Sequence, residues 1–215
     1  MSNPLQGAQF VLAAHRISQL PADHGAEVAF AGRSNAGKSS ALNALTNHKG
    51  LARTSKTPGR TQQMVAFSLP PPTQVGGQPP LDIRLIDLPG YGYAKVPLEM
   101  REHWKLEIDA YLHQRQSLRG LVLIVDIRHP LKEFDRQMLE FCLGTQLPCH
   151  LLLTKADKLS RNQAIQALAT LRKQFVAEGL HATAQIFSSS AGTGVDEARE
   201  AVMTLLRQPR VLGAR

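Results

Sequence analysis

The chain has 215 residues, 43% hydrophobic and 20% charged, enough for one sizeable core. Lys and Arg outnumber Asp and Glu by 25 to 17, a formal charge of +8 that favours polyanionic partners. No apolar run is long enough to span a membrane, and Gln6, Gln9 and His15 interrupt the apolar start in a way that does not suit a signal peptide. Cys142 and Cys149 are too few for a disulfide framework and are not spaced as a metal site. The expectation is one soluble, cytoplasmic domain over residues 25–208, with 1–24 packed on it, a basic tail at 209–215, and both cysteines buried or incidental.

Residues 27–31 form an apolar strand that runs into a glycine-rich segment and then a helix-forming stretch, 39–46. Residues 61–69 and 81–87 predict two more strands, separated by 70–80, whose prolines and glycines exclude regular structure and make a flexible hairpin excursion. Residues 97–116 carry Leu98, Trp104, Ile108, Tyr111 and Leu112 near helical spacing, with a proline in the first turn, and predict an amphipathic helix. The apolar runs 121–127 and 151–153 suit strands buried on both faces, with a helix over 131–143 between them.

Residues 160–178 predict a helix with Ile165, Leu168, Leu171 and Phe175 on one stripe, an N-cap at Ser160 and a stop at Gly179. A last strand at 185–188 and a last helix at 195–207 follow. This alternation implies an α/β fold: a mainly parallel, six-stranded sheet with one antiparallel edge strand, helices on both faces, and ligand loops at the carboxyl ends of the strands.

Residues 32–39 read GRSNAGKS, the full G-x-x-x-x-G-K-[ST] pattern, set after a strand and before a helix. Gly32 and Gly37 let backbone N–H groups curl round a β-phosphate, with Arg33, Ser34, Asn35 and Ala36 as the loop between them. Lys38 reaches the β and γ oxygens, the helix N-terminus adds positive potential, and the Ser39 hydroxyl completes Mg²⁺ coordination. Further along, DLPG at 87–90 follows the apolar Leu85 and Ile86, so a second strand delivers Asp87 and Gly90, spaced by Leu88 and Pro89, to the γ-phosphate. Asp87 is expected to hold Mg²⁺ through a water, and the Gly90 N–H to sense the γ-phosphate. Between the two elements lies RTSKTPGRTQQ, 53–63, a polar loop. Thr61 directly precedes a strand that can anchor it, so it is preferred over Thr57 as the residue that completes the magnesium shell.

A phosphate loop alone leaves a GTPase, an ATPase and a small-molecule or nucleotide kinase open. TKAD at 154–157 ends a buried strand and resembles the N-K-x-D guanine element. Asp157 is placed to accept from N1–H and the exocyclic N2 of guanine, a donor pair that adenine lacks. Lys155 lies along base and ribose, Ala156 spaces the two, and Thr154 replaces the usual Asn. A solvated strand-end turn is the plain alternative, which the ordered elements upstream disfavour. Phe187, Ser188 and Ser189 follow the next strand, where a backbone N–H can meet guanine O6. An ATPase leaves TKAD without a purpose, and no arginine-rich lid suggests a kinase. The position directly after D-x-x-G, where Ras-type switches carry a water-orienting glutamine, holds Tyr91. A phenol cannot do the same job, so slow intrinsic hydrolysis is expected.

From Val28 to Leu81 there is no acidic residue, while Arg33, Lys38, Lys49, Arg53, Lys56 and Arg60 fall inside that stretch. These cations can serve a bound nucleotide, a solvated face, or an RNA partner.

GRSNAGKSS, followed by SKTPGRTQ, DLPGYGYA, DIRHP and TKADK, resembles the EngB family of bacterial ribosome-assembly GTPases, in the group that contains Era and TrmE. The resemblance spans nearly the whole chain. It implies a monomeric Ras-like P-loop domain that binds GTP and GDP with Mg²⁺, acts in late assembly of the large ribosomal subunit and its RNA, has no membrane or DNA partner, and is needed for normal cell division and septation. The family's nucleotide contacts carry onto Gly32 to Ser39, onto Gly59, Arg60, Thr61, Gln62 and Gln63, onto Asp87 to Gly90, onto Thr154 to Asp157 and onto Phe187 to Ser189, with magnesium on Ser39 and Thr61. The resemblance also favours a cation role for Asn35, whose amide oxygen is placed to bind K⁺ beside the phosphates, over a mere tight-turn role. Lys38, Asn35, Thr61 and Gly90 are thus the candidate catalytic groups. DIRHP, 126–130, carries no role beyond closing strand to helix, and the proline-rich stretch is longer than the family's hairpin.

Overall fold

The structure, a computed structural model, describes residues 3–52, 63–70, 82–91 and 98–209, apart from the side chains of 98–105. The first loop residues Thr57, Gly59, Arg60, Thr61 and Gln62, most of the proline-rich stretch and most of the C-terminal tail lie outside the described residues. Seven strands are present among them: β1 (Gln9–Ala14), β2 (Ala26–Gly32), β3 (Met64–Ser68), β4 (Ile83–Asp87), β5 (Leu118–Asp126), β6 (Cys149–Thr154) and β7 (Ala182–Ile186). The helices are α1 (Lys38–Thr46), α2 (Leu98–Gln114), α3 (Glu133–Thr145), α4 (Arg161–Ala177) and α5 (Val195–Arg207).

The strands form one sheet in the order β1-β3-β4-β2-β5-β6-β7. The expected sheet had six strands with an antiparallel one at the edge. β3 is indeed the strand that runs against the others, pairing antiparallel with both β4 and β1, but β1 covers it, so β3 is interior and β1 is the edge. β1 escaped the periodicity argument because its burial follows no alternation, Phe10 and Val11 both being exposed, and its register slips at a bulge between Phe10 and Leu12.

Every residue of β2 is buried, as its apolar run predicts for a strand covered on both faces. Alternation along it splits the core in two. Val28 and Phe30 point to one side, where α1 supplies Ala41, Leu42 and Leu45 and α5 supplies Ala198, Val202 and Leu205. Ala29 and Ala31 point to the other, packed with Tyr111 and Leu112 of α2, Leu139 and Cys142 of α3, and Leu171 and Phe175 of α4. Both cysteines are buried and free.

α4 starts as predicted: the Ser160 hydroxyl accepts from the Gln163 amide, closing a capping box, and Gly179 (φ 65°) ends it. Its buried stripe is Ala164, Leu171 and Phe175, whereas Ile165 is 50% exposed, so the expected stripe was one residue out of phase at its start. Because β2, β4, β5, β6 and β7 run parallel, their carboxyl ends lie on one rim, where residues 32–37, 88–91, 126–132, 154–160 and 187–194 converge.

Candidate nucleotide site

The P-loop leaves β2 and turns through two left-handed residues, Asn35 (φ 61°) and Gly37 (φ 100°), before α1 begins at Lys38. Such a backbone turns successive N–H groups inward, and the first amides of α1 have no helical acceptor, so the loop presents donors to an anion. Lys38 is buried and ion-paired with Asp87, which is itself buried at the carboxyl end of β4. Phe30 and Asp87 are cross-strand partners, so β2 and β4 deliver loop and carboxylate side by side. Lys38 therefore belongs to this site and contributes nothing to a basic surface, while Lys49 is exposed.

DLPG is held on the P-loop by its backbone. Leu88 N–H donates to Phe30 O (2.9 Å), Ser34 N–H donates to Tyr91 O (2.9 Å), and a Cβ built on Gly90 would lie 3.5 Å from the Ser34 nitrogen. Ser39 is half-buried at the second position of α1. The Ser34 hydroxyl is buried with no partner among the described residues. Ser39 and Asp87 offer oxygen donors only, a hydroxyl and one carboxylate. That set fits magnesium, which takes one or two protein ligands and completes its shell with water and phosphate oxygens.

The TKAD turn is fastened to the P-loop at two points. The Thr154 hydroxyl, at the end of β6, donates to Ala36 O (2.5 Å), and Lys155, left-handed at φ 59°, donates its ammonium to Asn35 O (2.5 Å). Thr154 is buried, which suits a residue that ties one loop to another. Asp157 stands one residue past the buried Ala156 and accepts from the Ser188 hydroxyl (2.7 Å). That bond is the main reason its carboxyl titrates at about 2 and stays ionised.

The comparisons agree with this geometry. A family profile described as a 50S ribosome-binding GTPase matches residues 27–155. A protein of Stenotrophomonas maltophilia described as a probable GTP-binding protein EngB is 56% identical over 200 residues, covering 93% of this chain and 95% of its own length. A Xylella fastidiosa relative with the same description is 52% identical over 212 residues, 98% of this chain and 100% of its own. The chain belongs to the EngB family. In fold it matches a crystal structure of a probable GTP-binding protein EngB (TM-score 0.60, 22% identity, 85% of this chain and 99% of that one). It also matches Aquifex aeolicus Era bound to GDP·AlF4⁻ (TM-score 0.65, 20% identity, 87% of this chain and 57% of that one).

Of the site residues expected of an EngB protein, the structure gathers the P-loop, DLPG and TKAD on one rim. The Phe187 to Ser189 segment is adjacent, with the Phe187 side chain fully buried. Phe187 N–H donates to Leu153 O (2.9 Å) and Ser188 N–H to Thr193 O (2.9 Å), which leaves Ser189 as the amide of the three without a backbone acceptor among the described residues. Gln63 contacts His15 of the segment after β1 (2.9 Å). Ser188 was expected at the site only through the backbone of its segment, and Asp126 was given no role there. Ser188 acts through its side chain on Asp157, and Asp126 of DIRHP binds both the Lys155 ammonium (3.0 Å) and the Arg128 guanidinium (2.7 Å). Burial pushes the Asp126 carboxyl up, but the bonds from Arg128 and Lys155 outweigh it and hold it well below the carboxylate range. The only sequence signal for Asp126 was its place at the end of the strand beside TKAD.

Proposed function

We propose that this chain is a Mg²⁺-dependent, guanine-specific GTPase that hydrolyses GTP slowly on its own and reports its nucleotide state to the large ribosomal subunit during assembly. One observation carries the guanine reading: the Asp157 carboxylate, kept charged by Ser188, sits on a turn fastened to the phosphate loop at Asn35 and Ala36. Base reader and phosphate cradle thus form one unit, and a carboxylate acceptor pairs with guanine but meets no donor pair on adenine.

In this reading Lys38 leaves Asp87 for the β and γ oxygens, and the loop amides and the Gly90 N–H hold the phosphate chain. Ser39, Thr61 and Asp87 would hold magnesium, which would neutralise phosphate charge during transfer. Tyr91 cannot orient the attacking water, because its hydroxyl donates to Asp135 (2.8 Å). Asn35 is exposed at the loop and is the candidate to hold K⁺ beside the phosphates. The family description as a 50S ribosome-binding GTPase, the charge of +8 and the acid-free stretch from Val28 to Leu81 support the ribosomal RNA partner. The link to cell division and septation rests on the family resemblance alone, and depletion in cells followed by counting of septa tests it. Among the described residues no helix is long and apolar enough to cross a membrane.

The test is titration with fluorescent GDP, GTP and ATP analogues with Mg²⁺ present and removed, followed by phosphate release with and without ribosomal subunits in K⁺ and Na⁺. Guanine binding without ATP binding, and turnover raised by K⁺ or by subunits, is expected. Equal ATP binding would remove Asp157 as the base reader, and Asn35→Ala with its K⁺ dependence intact would assign the cation elsewhere.

A further inference from the structure

The residue after DLPG is fixed on both its main chain and its side chain. Tyr91 forms a parallel bridge with Arg33, its carbonyl accepts from the Ser34 amide at 2.9 Å, and its own amide donates to Gly32 O at 3.4 Å. The ring leaves the phosphate cradle and packs beside Phe134 at the start of α3 (centroids 5.4 Å apart), and the hydroxyl reaches Asp135 Oδ1 at 2.8 Å. Asp135 is 1% exposed, and its other oxygen accepts from the Lys132 amide at 3.0 Å, so the acceptor is locked as the N3 residue of a helix cap. The phenol thus ends on a rigid helix terminus.

A tyrosine used only to fill the core needs no buried carboxylate at its hydroxyl, and burying Asp135 there is costly unless its oxygens are bonded. We propose that Tyr91 is a positioning residue: through Asp135 it anchors the end of the DLPG turn to α3 and so sets the place of the Gly90 N–H over the P-loop. This rests on the reading of Gly90 as the γ-phosphate sensor and adds the device that aims it. The expected consequence is selective. GDP lacks the γ-phosphate, so loss of the anchor weakens GTP while leaving GDP nearly as before.

The experiment compares Kd for GDP and for a non-hydrolysable GTP analogue, both with Mg²⁺, in the wild type, Tyr91→Phe, Asp135→Ala and the double variant. The hydroxyl deletion should lower the GTP-to-GDP affinity ratio about ten-fold, the size of one charge-assisted hydrogen bond, with GDP within about two-fold. Asp135→Ala also removes a helix cap, so its stability is measured in parallel. The double variant should show a ratio no lower than the worse single one, since both delete the same contact. A ratio unmoved by Tyr91→Phe, additive effects in the double variant, or a loss confined to turnover at saturating GTP would each overturn the anchor. Failure of the wild type to bind guanine nucleotides would instead overturn the reading on which the anchor rests.

Discussion

At the amino end of β2, Glu27 has no exposed surface and is held from three sides: the Arg84 guanidinium at 2.7 Å, the Arg115 guanidinium at 2.7 Å and 3.0 Å, and the Tyr111 hydroxyl at 3.1 Å. Arg115 and Arg84 extend the network to the carbonyls of Pro21 and Ala22, which clamps the residues before β2 to the sheet. Beside the carboxyl half of β2, at the end of the neighbouring β4, Asp87 is also buried, but its one side-chain partner among the described residues is Lys38, and the Ser34 hydroxyl of the adjoining loop has none. The two poles place a carboxylate and cations beside the same strand and differ in how completely the protein itself satisfies them. A buried ionic group with every lone pair engaged is a fixed structural part. One whose partner is a flexible lysine stem can exchange that partner for a ligand. Full satisfaction marks scaffold, and partial satisfaction marks the site.

The largest expected effect that tests this contrast is on the scaffold pole. Glu27→Ala takes the buried carboxylate from two guanidinium groups, 3% and 4% exposed, and leaves them the more exposed Asp82 (2.9 Å from Arg84) and Asp23 (3.5 Å from Arg115). Breaking a buried ionic network by removing one partner costs about 3–5 kcal/mol, so the thermal midpoint should drop by about 10 °C. Nucleotide affinity measured below the transition should stay within about two-fold, because Glu27 and Gly32 stand at opposite ends of β2. A large loss of GDP affinity in the folded variant would break the contrast.

The next effect belongs to the site pole and inverts the pattern. Asp157→Asn removes the acceptor for the two guanine donors and should weaken GDP and GTP about 100-fold, while xanthine nucleotides gain. Asp157 lies at the surface, so the thermal midpoint should barely move. Unchanged guanine affinity, measured by fluorescent titration, would move the base reader elsewhere. Asp126→Asn sharpens the contrast further. It weakens the hold on Lys155 without touching guanine directly, so affinities for GDP and GTP should fall together by about five-fold. A change in one nucleotide alone would mean that Asp126 acts on something other than Lys155.

The two poles were unequally legible in the sequence. The P-loop, DLPG and TKAD were readable because each is a short run whose residue types answer to one chemistry and whose strand lies next to it. The sheet itself followed from apolar runs, whose ends shifted by a few residues: the strand expected at 121–127 spans Leu118–Asp126. Nothing local announced the scaffold pole, since Glu27, Arg84 and Arg115 lie far apart in the chain and no short motif joins them. The same holds inside the site. Tyr91 and Asp135 are 44 positions apart, and Ser188 and Asp157 are 31 apart, so only the packed chain pairs them. Propensity could expect a charged residue early in α3, and it could not say that its carboxylate was the acceptor for a phenol.

The smallest effect is a pH dependence that isolates the Asp157 to Ser188 bond. Asp157 titrates at about 2 in the folded chain, mainly because the Ser188 hydroxyl donates to it, against about 3.9 in an unfolded chain. A folded value below the unfolded one means that the unfolded state takes up the proton first. The bond's contribution is therefore fully present above about pH 4 and is lost as the pH falls through about 2. Other carboxylates are held low as well: at the scaffold pole burial raises the Asp23 carboxyl and the Gln116 and Ser117 amides lower it further. The wild type alone cannot separate them. Ser188→Ala removes the donor and leaves Asp23 untouched, so urea unfolding from pH 5 to pH 2 should show the wild-type advantage shrinking across that interval and constant above it. The advantage should be small, because the site is exposed and screened. Parallel curves for the two proteins would mean that Ser188 does not hold the carboxylate ionised, and the preset guanine acceptor would have to be built when the nucleotide binds.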